Sequence, residues 1–178
     1  MLIQRQEAEM LTLFIISSLP DEVTMSEARE ILLAGQELDR MEIDGYLQGL
    51  AQRGQIYIKH GSGPLKNEKY VGITETGKSV VAALSERKLP FRACINRALR
   101  HYKKIVCGID YRIELVKVAG GSNVEFQMLL SGKTYFSTTL FFSKSMDALK
   151  VYNRLDDDPE GFYNGVMTVA TGDVGYMK

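Results

Sequence analysis

Tryptophan is absent from this chain of 178 residues, and cysteine and histidine occur only twice each. Cys94 and Cys107 form no Cys-x-x-Cys pair, and a chain of this size needs no single bridge, so reduced thiols and a cytoplasmic setting are expected. His60 and His101 have no cysteine, aspartate or glutamate at ligand spacing, which speaks against a metal site. The run Asp156-Asp157-Asp158 lacks the interleaved ligands and closing glutamate of a calcium loop and reads as a solvated connector. No serine or cysteine stands in a recognisable nucleophile motif. The chain therefore reads as a protein without cofactor, metal or enzymatic activity.

Net charge is missing too: 22 basic side chains balance 22 acidic ones. Residues 1–90 carry 10 basic and 13 acidic groups, so the first half is mildly acidic, and the remainder holds 12 and 9. A nucleic-acid binder places its positive excess on the binding domain, and this distribution counts against one. No apolar run approaches the ~20 residues of a membrane span. The run Leu11–Ile16 follows Arg5, Glu7 and Glu9 and lacks the positive start of a signal peptide, so it reads as part of an amphipathic helix. No membrane association is expected.

What is present is clear periodicity. Ala8, Leu11, Ile15 and Leu19 form one helical stripe, with Met10 and Phe14 beside it, and Pro20-Asp21 stops it. Ser26 can cap a short second helix, Ala28 to Leu33, broken by Gly35. Asp39 and Glu42 stand three apart before Ile43, Tyr46, Leu47 and Leu50, the mark of a capped amphipathic helix running from Asp39 to Arg53. Gly54 ends it. Ile56 and Ile58 alternate with Tyr57 and Lys59 as in a strand; Gly61-Ser62-Gly63-Pro64 turns the chain, and Tyr70-Val71-Gly72-Ile73 returns. Thr74 caps a fourth helix, to Glu86. Three helices followed by a small hairpin are the layout of a winged helix-turn-helix.

Leu89-Pro90 is the expected domain boundary, giving residues 1–89 and 90–178. A basic helix follows, Phe91 to Val106, on which Arg97, Arg100, His101 and Lys104 share a side. Three alternating segments come next, Ile109–Leu115, Val124–Met128 and Phe136–Leu140, with Gly120-Gly121 and Ser131-Gly132-Lys133 as hairpin turns. Two helices close the chain, Ser143–Leu155 and Pro159–Ala170, expected to cover the sheet through Met146, Leu149, Tyr152, Phe162, Val166 and Val169. The fold class is α+β: an N-terminal winged helix-turn-helix, then a small α/β domain with a three-stranded antiparallel sheet and two C-terminal helices.

Gly72-Ile73-Thr74-Glu75-Thr76-Gly77-Lys78-Ser79 matches the P-loop pattern. Its strand is short, polar and one arm of a hairpin, and the other strands also form hairpins rather than a crossover-linked parallel sheet. A chance match is the better reading, and a nucleotide hydrolase is the remote one. The Asp39–Arg53 helix presents Met41, Asp44, Gly45, Gln48 and Gln52 opposite its apolar stripe, with Arg40 and Arg53 flanking. Glutamine can pair with adenine and aspartate can accept from cytosine. Lys59, His60, Lys66 and Lys69 surround the hairpin and could grip phosphate.

Leu47-x-x-Leu50 before Gly54-x-Ile56, then Tyr70-x-x-Ile73-Thr74-x-x-Gly77-Lys78, then Leu89-Pro90-Phe91-Arg92 resemble the bacterial domain-of-unknown-function 4364 family across the whole chain. The resemblance implies a transcription-regulator-like protein, a winged-helix domain followed by a small α/β domain, and no catalytic or ligand residues. The expected function is DNA-binding transcriptional regulation through Arg40, Asp44, Gln48, Gln52, Arg53, Lys59, His60, Lys66 and Lys69. The alternative is a winged-helix module for protein contacts without DNA. The expected partners are double-stranded DNA and a second copy of the chain, since the uncharged strand from Tyr135 to Phe142 is a poorly protected edge. No effector is assigned.

Overall fold

The computed structural model describes residues 4–61 and 67–177. Its backbone divides into two compact units, Met1–Cys107 and Gly108–Lys178.

The first unit begins with α1 (Arg5–Ser18), whose Ala8, Leu11, Phe14 and Ile15 are buried. A two-residue strand follows, β1 (Val23–Thr24), and leads into α2 (Met25–Ala34). The cap of α2 is Thr24 rather than Ser26. Its hydroxyl accepts from the Glu27 amide at 3.2 Å while the Glu27 carboxylate accepts from the Thr24 amide at 2.8 Å, a reciprocal box that satisfies two end donors at once. Next comes α3 (Ile43–Gln52), one turn shorter at its start than the periodicity implied. Asp39 is spent on the preceding turn, where its carboxylate accepts from the Met41 amide at 2.8 Å. Gly54 ends α3 at φ 67°, a conformation nearly free only for glycine.

Strands β2 (Ile56–His60) and β3 (Lys69–Ile73) pair antiparallel, with Ile58 opposite Val71 and His60 opposite Lys69. β1 joins the far edge of β3, so the strand order is β1-β3-β2. The hairpin turn expected at Gly61-Ser62-Gly63-Pro64 lies mostly outside the described residues, as does Lys66. Thr74 then caps α4 (Glu75–Ala83), its hydroxyl accepting from the Gly77 amide at 3.0 Å. The P-loop-like stretch is thus the end of an antiparallel strand and an ordinary capped helix. Lys78 pairs with Glu75 at 2.7 Å.

The unit does not end at Leu89. A 3-10 helix, Ser85–Phe91, carries Leu89-Pro90 and runs directly into α5 (Arg92–Val106). Cys94, Ile95, Ala98 and Tyr102 of α5 belong to the same buried core as α1, α2 and α3, and Phe91 meets Phe14 with ring centroids 6.4 Å apart. Proline fits the first turns of a helix as well as it fits a linker, and the apolar stripe of α5 needs the α1–α2 surface to leave water. The boundary falls at Cys107-Gly108. This reassigns five basic residues: the first unit holds 15 lysines and arginines against 13 acidic groups, net +2 instead of the net −3 of residues 1–90.

The second unit is an antiparallel meander: β4 (Ile109–Val118), β5 (Gly121–Leu130) and β6 (Lys133–Phe142), in the order β4-β5-β6. The β5–β6 turn has Ser131 at φ 49° and Gly132 at φ 79°, the double positive φ that matches the strands' twist in a two-residue hairpin. One sheet face, with Val124, Phe126 and Met128 at its centre, is covered by α6 (Ser145–Asp157) and α7 (Pro159–Thr171). The covering side chains are Ala148, Val151, Tyr152 and Leu155 of α6, with Phe162 and Tyr163 of α7. Met146, Leu149 and Val169, expected in that layer, are exposed. A bulge between Met128 and Leu129 in the β5–β6 register sets Thr134 and Phe136 opposite them. The extra residue, Tyr135, packs edge-on to Tyr163 of α7.

Candidate nucleic-acid interface

α3 buries Ile43, Tyr46, Leu47 and Leu50 and leaves Asp44, Gly45, Gln48 and Gln52 outward. The turn before it leaves Arg40 exposed and Met41 89% exposed. Tyr46 anchors the first turn by donating its phenol to Glu42. Burial, and then that bond to a carboxylate, push the Tyr46 hydroxyl up to about 12.

Asp44 is engaged by a neighbouring helix. Arg29 of α2 grips it with both prongs, Nε to Oδ1 at 2.8 Å and Nη2 to Oδ2 at 3.0 Å. Bidentate pairs of this kind fix direction as well as charge. The bond holds Asp44 below the usual aspartate range and raises the Arg29 guanidinium. No sequence motif singles out Arg29. Its signal was available, because it falls beside the buried Ala28, Ile31 and Leu32 positions of α2, on the solvent side of that helix.

Asp44, Gln48 and Lys69 are brought together around a recess of about 90 Å³, shared with Met25, Arg29 and Ile58. This lies well below the roughly 300–1,000 Å³ of small-molecule sites, so the recess is a junction between α2, α3 and the hairpin. His60 stands opposite Lys69 in the β2–β3 register. Because strand residues alternate, both lie on the same sheet face as Ile58 and Val71, continuing it beyond the core.

Lys59 points to the other face. Its Nζ lies 2.7 Å from Glu22 Oε2 and 5.5 Å from the centroid of the Tyr57 ring, while the Tyr57 hydroxyl donates to the same carboxylate at 2.8 Å. Those two bonds, that from Lys59 foremost, hold Glu22 below its ordinary range; the bond to Glu22 raises both Lys59 and Tyr57. Arg53 follows the last residue of α3 and donates to Glu9 of α1 at 2.7 Å. Of the nine expected site residues, then, Gln48, His60 and Lys69 share one surface with the engaged Asp44. Gln52 continues the outward stripe of α3, Arg40 precedes the helix, Lys59 and Arg53 are directed elsewhere, and Lys66 lies outside the described residues.

The basic side of α5 is turned partly inward. Arg97 donates to the Gly35 carbonyl at 2.9 Å, tying α5 to the end of α2, and His101 Nε2 lies 3.8 Å from Glu30. Among the described residues no group of three or more His, Cys, Asp and Glu is placed to hold a metal ion, and no helix is long and apolar enough to cross a membrane. The second unit has a separate groove of about 830 Å³ between α6, α7 and Leu140 of β6, walled by Val151, Leu155, Phe162 and Val166. Compared with protein-family models, curated proteins and solved structures, the chain matches none.

Proposed function

We propose that Met1–Cys107 is a winged helix-turn-helix module that binds double-stranded DNA, making the chain a cytoplasmic transcriptional regulator without catalytic activity. The observation that carries this reading is the order α1-β1-α2-α3-β2-β3 combined with the strand order β1-β3-β2. In that arrangement α3 is free along one side to enter a major groove, and the β2–β3 hairpin stands beside it as the wing. Gln48 beside Lys69 pairs a base-reading amide with a phosphate-binding cation, and the net +2 of the unit removes the objection raised by an acidic first half.

Binding of a labelled duplex, followed by anisotropy against salt, tests the proposal. The logarithm of the binding constant should fall linearly with log salt, with a slope of about −0.9 per phosphate contact. Lys69→Ala should lower the slope by about one and weaken all sequences alike, whereas Gln48→Ala should change sequence preference. A folded protein with no affinity at ~50 mM salt refutes the reading.

Two observations favour a second reading, a module for protein contacts. Arg29, Arg53 and Lys59 each already hold a carboxylate. Gly45, with open space around it, leaves the backbone of α3 accessible to another helix. Failure of every duplex combined with saturable binding to a protein partner that Gly45→Leu abolishes would select it.

A further inference from the structure

The two outer strands of the second unit differ in how they are protected. β4 carries Asp110, Arg112, Glu114 and Lys117 along its length, the charged decoration that discourages another strand from pairing with it. β6 has Lys133 and the bulge at its start, and then seven residues, Phe136–Phe142, without charge, proline or irregularity. Every second residue of that stretch turns its N–H and C=O away from β5. Phe141 is 57% exposed at its far end. The fully buried part of the unit's core is small, Val124, Phe126, Met128, Ala148 and Leu155, and the aromatic residues around it, Phe136 and Phe142 of β6 among them, are only partly buried.

We propose that β6 pairs with β6 of a second copy of this chain, antiparallel, across a two-fold axis perpendicular to the sheet and centred on Thr139. A second copy is singled out as the occupant because this stretch carries no charge and pairs with itself without setting any two charges opposite each other. In this register Phe136 meets the partner's Phe142, Thr138 meets the partner's Leu140, and Thr139 meets its own equivalent. On the open face the exposed Phe141 is covered by the partner's Ser137. Residues of one face meet residues of the same face throughout, which a slip by one position would destroy. The charges agree as well, because an antiparallel pair sends the two Lys133 side chains to opposite ends. The axis leaves the helix layers of both copies on one side of a six-stranded sheet. Pairing β6 with the charged β4 of another copy would instead be head-to-tail and open-ended.

The area sets the strength. Seven residues span roughly 24 Å, and a sheet with its helix layer is about 20 Å thick. The contact buries about 1,000 Å² over both copies, at the lower limit for a specific interface, so the dimer is reversible. It does not depend on what the first unit binds.

Light scattering on the full chain between about 1 and 200 µM tests it. The expected mass is twice 20.0 kDa at the upper end, falling toward 20.0 kDa on dilution. Thr139→Lys and Phe141→Lys replace exposed side chains and should leave far-ultraviolet dichroism unchanged while giving 20.0 kDa throughout. Val118→Lys at the end of β4 should leave the dimer intact. Thr139→Cys in a Cys107→Ser background should form a disulfide-linked dimer on mild oxidation. A mass of 20.0 kDa at every concentration overturns the proposal. So does a dimer that survives both β6 substitutions, or a Thr139→Cys variant that does not cross-link.

Discussion

Gly77 sits in the third position of α4, against the start of β2. A methyl group there would overlap the carbonyl oxygen of Gln55 and press on Ile73. That carbonyl is fixed: it accepts from the Thr74 amide at 3.1 Å, and the single Thr74 hydroxyl proton is shared between it at 3.0 Å and the Gly54 carbonyl at 2.6 Å. Relief requires α4 to move away from the start of β2, which breaks or strains about three hydrogen bonds, including the cap from the Gly77 amide to Thr74. At ~1 kcal/mol each the loss is about 3 kcal/mol. Alanine regains at most about 1 kcal/mol as a better helix former. Gly77→Ala should therefore destabilise by about 2 kcal/mol, a fall in Tm of roughly 10 °C for a unit of this size. Gly45→Ala is the internal comparison, since no atom lies within 4 Å of its added methyl. It should stabilise by about 0.5–1 kcal/mol. Urea unfolding of both variants reads the difference, and a Gly77→Ala protein within about 0.5 kcal/mol of wild type would refute the close-packing argument.

The chain should show no saturable affinity for ATP or GTP by calorimetry, because Thr74 and Gly77 are committed to a helix cap and Lys78 to Glu75; binding abolished by Lys78→Ala would restore the P-loop reading. Tyr46, raised to about 12 in the fold against ~10 unfolded, contributes stability that is complete below pH ~10 and is lost as pH climbs toward 12. Tyr46→Phe should flatten that alkaline decline in unfolding free energy, and an unchanged decline would show that other groups cause it. Asp44 is depressed by Arg29, so its contribution is present above the unfolded value near 4 and disappears as pH falls through the folded one. A carbon-detected titration should find Asp44 back in the ordinary range in Arg29→Gln; no change would mean that the fork does not persist in solution.

Most elements were legible because their apolar residues keep a period. The stripes of α1 and α3 and the alternation of β5 survive as the buried faces of the structure. β1 was not legible, because two residues carry no period; it exists only because β3 offers Val71 and Tyr70 to pair with. The starts of α2 and α3 moved because several nearby residues can cap, and the choice between Thr24 and Ser26 is made by where Glu27 reaches. The boundary moved because an amphipathic helix states that it has a partner surface without naming it. Gln48 and Lys69 are legible as site candidates by residue type alone. That Asp44, Arg53 and Lys59 are engaged depends on Arg29, Glu9 and Glu22, 15, 44 and 37 positions away in the chain, and no local pattern encodes such meetings.

These three ion pairs have a consequence for how a DNA-binding chain would search a genome. In each of the three pairs the cation faces a tethered carboxylate, a competitor whose effective concentration is in the millimolar range or above. Random duplex, held with dissociation constants of only about 10⁻⁴ to 10⁻⁶ M, must displace it at every encounter. Non-cognate sites outnumber any target by many orders of magnitude and ordinarily soak up most copies of a regulator. A chain that neutralises part of its own positive surface pays less of this toll: its visits to random sequence are short, more copies remain unbound, and a small cellular number can keep a single target occupied.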